Sequence, residues 1–136
     1  MDEKATKKLF KDFPNLYRVK DKSVKDSLMR FGFECEDGWF DLIYELSKKI
    51  TELDPEGKVE AVQVKEKFGG LRFYINGAPR EIHDLIAKYE KKSYQTCEAC
   101  GAKGKSRPDL GWVRTLCNKH YKIIRPASSK NHNSLN

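Results

Sequence analysis

Cys97-Glu98-Ala99-Cys100-Gly101 and Trp112-Val113-Arg114-Thr115-Leu116-Cys117-Asn118-Lys119-His120 are the stretches on which the reading of this chain turns. Together they spell C-x2-C-x16-C-x2-H. Two ligand pairs separated by a loop of this order fit a closed tetrahedral zinc site. Cys97, Cys100, Cys117 and His120 are therefore the candidate metal ligands. Four protein ligands leave no coordination position for water, so the expected cofactor is a structural Zn2+. Such a staple suits this chain. It has 136 residues, only 38% of them hydrophobic, and a mean hydropathy of -0.76, which together predict a modest core. Of its four cysteines only Cys35 lies outside the pattern. That usage points to a reducing compartment and not to a disulfide framework.

Local spacing around the ligands adds detail. Gly101 follows the second cysteine, where a tight turn needs positive φ; the segment resembles a zinc knuckle. Trp112–Leu116 reads as a strand. Cys117 and His120 are three residues apart, so they share one face in the first turn of a helix that runs to about Ile124. Knuckle, hairpin and ligand-bearing helix in that order resemble a treble-clef zinc finger over about residues 95–125. A zinc ribbon is the other arrangement, and it wants a second knuckle in place of the helix.

Charge is distributed unevenly. The net charge of +7 divides into +1 for residues 1–96 (19 Lys and Arg against 18 Asp and Glu), +5 for residues 97–125 (seven against two) and Lys130 in the tail. A local basic excess attracts a polyanion or an acidic protein face, or simply keeps a surface solvated.

Residues 1–95 read as a small α+β domain: a β-hairpin packed with about three helices. Residues 1–13 form a short helix with Leu9, Phe10 and Phe13 on one side, broken at Pro14. Ser23 and Asp26 sit in capping-box positions ahead of Val24, Leu28 and Phe31, which predicts two helical turns ending at Gly32. Asp37 is the expected N-cap of a longer helix whose stripe is Trp39, Leu42, Ile43, Leu46, Ile50 and Leu53. Cys35 beside it reads as a small buried hydrophobe. Gly69-Gly70 between two alternating runs predicts a hairpin over residues 59–76, pairing Phe68 with Leu71, Lys67 with Arg72 and Lys65 with Tyr74. One face then carries Val62, Val64, Phe68, Leu71, Phe73 and Ile75, with Glu66 as an unexplained exception. A third helix follows Pro79, with Ile82, Leu85, Ile86 and Tyr89 inward and His83 exposed. The zinc module (96–125) is expected to pack on this domain. The polar, Ser- and Asn-rich segment 126–136 reads as a disordered tail.

Lys65, Lys67, Arg72 and Tyr74 on the hairpin, with Lys103, Lys105, Arg107 and Arg114 in the zinc module, are the candidate nucleic-acid contacts. Cations around an aromatic ring can take phosphates and stack a base. No Walker loop, dinucleotide fingerprint or Ser/His/Asp arrangement is visible. Nucleases of the HNH kind use a treble clef, but they need further histidines, and only His83 and His132 remain besides the ligand. No apolar run approaches the ~20 residues of a membrane span, and no small-molecule substrate is evident.

Three segments, Asp37-Gly38-Trp39-Phe40-Asp41-Leu42-Ile43, Val64-Lys65-Glu66-Lys67-Phe68-Gly69-Gly70-Leu71-Arg72-Phe73-Tyr74 and Gly111–His120, resemble small uncharacterised proteins of bacteriophages and prophages. The resemblance covers about residues 33–124. It implies a phage origin and a setting in the cytoplasm of the bacterial host, and it carries no activity. The expectation is thus a non-enzymatic, zinc-stabilised binding protein whose partner is nucleic acid. The alternative is a phage factor that binds and inhibits a bacterial defence or transcription complex.

Overall fold

The computed structural model describes residues 1–125. The tail from residue 126, expected to be disordered, lies outside the described residues. The hairpin is the spine: β2 (Glu60–Lys67) and β3 (Gly70–Asn76) run antiparallel, and the two-residue β1 (Phe33–Glu34) adds parallel to β2, giving the order β1-β2-β3. Three helices belong with this sheet: α1 (Glu3–Asp12), α2 (Phe40–Leu53) and α3 (Arg80–Ser93). A second, two-stranded sheet of β4 (Lys105–Arg107) and β5 (Arg114–Leu116) precedes α4 (Asn118–Ile124). The α+β class is as the sequence predicts. No helix among the described residues is long and apolar enough to cross a membrane.

Several local expectations change. The hairpin turn is Phe68-Gly69, not Gly69-Gly70: Lys67 pairs with Gly70, Glu66 with Leu71, Lys65 with Arg72 and Gln63 with Tyr74. Both central residues have positive φ, 55° at Phe68 and 84° at Gly69, as a type I′ turn requires. The pairing has slipped by two residues, and because side chains alternate with period two, the face assignment survives the slip. Gly70 is glycine for a different reason: a Cβ there would lie 2.3 Å from the Tyr94 ring. A register shift between Ala61 and Gln63 then turns Ala61, not Val62, into the core. Lys65 opposite Arg72 is a like-charge pair, and Glu34 of β1 stands beside Lys65 in register on its other side.

The expected helix over residues 23–31 does not form. Ser23 O accepts from the Asp26 and Ser27 amides, but the Leu28 amide then turns away to Val62 O at 2.8 Å. A single 3-10 turn, Met29–Phe31, follows. Met29 is buried, whereas Val24 and Phe31 are exposed. Tertiary bonding to β2 has outcompeted a short helix of modest propensity. Asp37 is not the cap of α2 either. Residues Asp37–Trp39 form a 3-10 turn, and the Asp37 carboxylate accepts the Asp2 amide at 2.7 Å.

The core lies between the sheet and the helices. Trp39, Ile43, Leu46 and Ile50 come from the α2 stripe, Val64, Leu71 and Phe73 from the hairpin, and Ile82, Ile86 and Tyr89 from α3. Leu53, at the end of the stripe, is exposed. Tyr17 is buried with its hydroxyl 2.7 Å from Ser47 Oγ, which in turn donates to Ile43 O at 2.7 Å. Helix α3 also serves β3 directly: Ser93 Oγ accepts the Leu71 amide at 2.8 Å, and Glu90 Oε2 accepts the Phe73 amide at 2.9 Å.

Cys35 is buried, and burial pushes its thiol up to about 12. A thiol that high carries almost no thiolate at neutral pH, and thiolate is the reactive form. Cys35 should therefore stay unalkylated by iodoacetamide in the folded protein and react once the chain is unfolded. Mass spectrometry after a timed pulse checks this; labelling of native Cys35 at the rate of a free cysteine would contradict it.

Candidate metal centre and the cleft beside it

The knuckle is built by backbone bonds. The Gly101 amide donates to Cys97 O at 2.8 Å, the Cys97 amide to Ala102 O at 2.7 Å, and Gly101 takes φ 83°. Cys117 directly follows β5 and caps α4: its Sγ accepts the His120 amide at 3.4 Å. Hydrogen bonding from His120 pulls the Cys117 thiol down to about 6, so it is predisposed to the thiolate that a metal ligand must be. The ligand atoms of Cys97, Cys100, Cys117 and His120 all lie within 4.8 Å of one another. Cys100 Sγ to Cys117 Sγ is 3.8 Å, and His120 Nδ1 is 3.2 Å from Cys117 Sγ and 3.9 Å from Cys97 Sγ. Tetrahedral metal–sulfur bonds of about 2.3 Å subtend a sulfur–sulfur edge of about 3.8 Å. The four donors thus fit one tetrahedral ion, in the order knuckle, hairpin, helix.

The module has little else to hold it. Its buried apolar residues are Cys97, Leu110 and Leu116. Its basic residues partly replace a core. Arg107 is buried; its guanidinium donates to Leu116 O at 3.0 Å and Asn118 Oδ1 at 2.8 Å and lies 4.3 Å from the Tyr121 ring centroid. Arg114 sits largely buried between Glu36, with which it is ion-paired, and Glu98, at 3.7 Å. Burial, with the Glu66 carboxylate next, pushes the Glu98 carboxyl up to about 7. Arg107 and Arg114, expected as surface contacts, are instead used internally. Net charge was readable from sequence, but the burial of two of its bearers was not.

Two joints fix the module to the larger sheet. At the first, the Gly38 amide donates to Glu98 O at 2.8 Å and Trp39 Nε1 to Thr96 O at 2.9 Å. At the second, Thr115 Oγ1 donates to Gly69 O at 2.6 Å, so the hairpin tip meets β5.

The second joint forms a cleft of about 480 Å3, lined by Lys65, Glu66, Lys67, Phe68, Trp112 and Val113, with Gly111 at its margin. Phe68 is 69% exposed and Trp112 is 70% exposed. Glu66, the exception on the apolar face, joins the two walls: its carboxylate accepts the Gly69 amide at 2.7 Å and Trp112 Nε1 at 3.3 Å. Of the other predicted contacts, Arg72 donates to the Tyr94 hydroxyl at 3.0 Å, and Tyr74 is exposed further along β3. Lys103 and Lys105 are exposed ahead of and within β4 and do not line the cleft. Sequence alone does not single out Phe68 or Trp112 for the cleft: Phe68 reads as a core-facing strand residue and Trp112 as a strand start.

No protein-family model, no curated protein and no solved structure matches this chain at a significant level.

Proposed function

We propose that this chain is a zinc-stabilised binding protein whose partner is nucleic acid, and that it performs no catalysis of its own. Three thiolates and an imidazole select a soft or borderline ion over magnesium or calcium, and zinc in a closed tetrahedral site is the usual occupant of such a set. The ion's role is to hold Trp112 and β5 against the hairpin. Four protein ligands leave nowhere to activate water, and the cleft presents no Ser, Cys or His.

The observation that carries the nucleic-acid reading is the pair Lys65 and Lys67 beside two exposed aromatic rings in one cleft. Cations next to exposed π faces suit phosphates next to bases. Lys103 and Lys105 extend the attraction as exposed, less specific contacts. On the resemblance to phage proteins, the setting we propose is the cytoplasm of a bacterial host. Exposed aromatics also serve protein interfaces, and a defence or transcription complex is the partner if nucleic acid fails.

The test is fluorescence anisotropy with labelled oligonucleotides between 50 and 200 mM NaCl. Affinity should fall linearly in log–log form, each phosphate contact contributing a slope of roughly 0.7–0.9. Charge reversal at both Lys65→Glu and Lys67→Glu should weaken binding at least tenfold, on the order of two lost phosphate contacts. Binding indifferent to salt, or no binding with a stoichiometric protein retained from nuclease-treated bacterial lysate, would reject this reading.

A further inference from the structure

We infer that the cleft between the hairpin tip and the Gly111–Val113 loop takes one unstacked base of a single strand, with Phe68 and Trp112 as its walls and Lys65 and Lys67 on the neighbouring phosphates. This rests on the nucleic-acid reading and makes it specific.

Phe68 carries the first argument. It is a non-glycine residue in the left-handed region, φ 55°, at a turn position where Asn, Asp or Gly is at ease. Backbone strain is normally repaid by burial, yet this ring is 69% exposed. Folding gains little from it, and strain that folding does not repay points to function. Trp112 carries the second argument. It too is exposed, on the opposite wall, and its indole N–H is already engaged by Glu66. The same carboxylate holds the Gly69 amide next to Phe68. One carboxylate therefore ties the Trp112 indole to the backbone next to Phe68 before any ligand arrives, which lowers the ordering cost of binding.

The occupant follows from chemistry. Apart from Lys65, Lys67 and Glu66, the lining is aromatic, aliphatic or glycine, and both Glu66 oxygens already accept hydrogen bonds. The cleft offers no Asn, Gln, Ser or Thr side chain to read a base edge or a sugar hydroxyl. A π face is what these walls can take, and in a duplex the π faces are covered by neighbouring base pairs. Lys67 Nζ lies 5.6 Å from the Phe68 ring centroid, within reach of a phosphate attached to a stacked nucleoside. Sequence-tolerant stacking with adjacent cations is how single strands are held.

Two substitutions separate this from a structural role. Phe68→Asn supplies the Asn-Gly pair that a type I′ turn favours, so it should raise the melting temperature by a few degrees while removing a wall. Trp112→Ala removes the other wall at an exposed position. The probes are dT12, rU12 and a 12-base-pair duplex, with metal content and thermal unfolding recorded for each protein. We expect at least one single strand to bind tenfold or more tightly than the duplex. Each substitution should weaken single-strand binding roughly 5- to 150-fold, the range for losing one stacked base. Both variants should keep one metal ion per chain. Equal binding of duplex and single strands, or unchanged affinity in both variants, overturns the cleft while leaving the wider nucleic-acid reading intact. No binding to any of the three probes overturns both. A fall in the melting temperature of Phe68→Asn overturns the argument from strain.

Discussion

Cys117→Ala should abolish stoichiometric zinc binding and unfold residues 96–125 while the hairpin and α1–α3 remain folded. Structural zinc sites give apparent free energies of roughly 10–16 kcal/mol at neutral pH, as large as the whole stability of a typical domain, about 5–15 kcal/mol. The module's three buried apolar residues cannot make up such a loss. The larger core, from Leu9 to Tyr89, shares none of them. In a two-dimensional amide spectrum the resonances of β4, β5 and α4 should collapse to the unfolded region and those of β2 and β3 should stay dispersed. A metallochromic assay should find no bound zinc. One ion per chain with a dispersed spectrum throughout would show that Cys117 is not a ligand.

The second large effect is predicted at a residue with no side chain. A Cβ on Gly38 would lie 2.3 Å from both Cys97 O and Glu98 O, and these are backbone oxygens of the knuckle that cannot swing aside. Gly38→Ala should push the module off the body, breaking the Gly38–Glu98 and Trp39–Thr96 hydrogen bonds with it. Overpacking of this severity costs about 3 kcal/mol. The pattern is the reverse of the ligand mutant: zinc stays bound, but the connection around Gln95 and Thr96 opens to protease. Denaturant unfolding with zinc quantification, followed by limited proteolysis, reads both. Wild-type stability and resistance in Gly38→Ala would mean that the joint is looser than the distances indicate.

The candidate metal ligands were legible because their geometry is local: a knuckle and a helical i, i+3 pair are visible as spacing. The α2 and α3 stripes were legible for the same reason. What the sequence concealed was set by distant neighbours. Gly70 looked like half of a turn but is small because Tyr94 needs the space. The segment after Ser23 carries helical spacing, but Val62 O takes the Leu28 amide and ends the helix before it begins. A two-residue β1 has no periodicity to read. Arg107 and Arg114 were visible as charge, while their carbonyl, carboxylate and aromatic partners were assembled only by folding. Glu66 was recognisable as an anomaly on an apolar face, and that anomaly marked the cleft.

Helix α3 contributes more than its apolar stripe. Because Ser93 and Glu90 occupy the outward amides of Leu71 and Phe73, β3 has few donors left to offer another chain. An extended peptide cannot be added to this side of the sheet, and two molecules cannot fuse their sheets there. On the proposed function, recognition then falls to side chains at the hairpin tip and not to main-chain pairing.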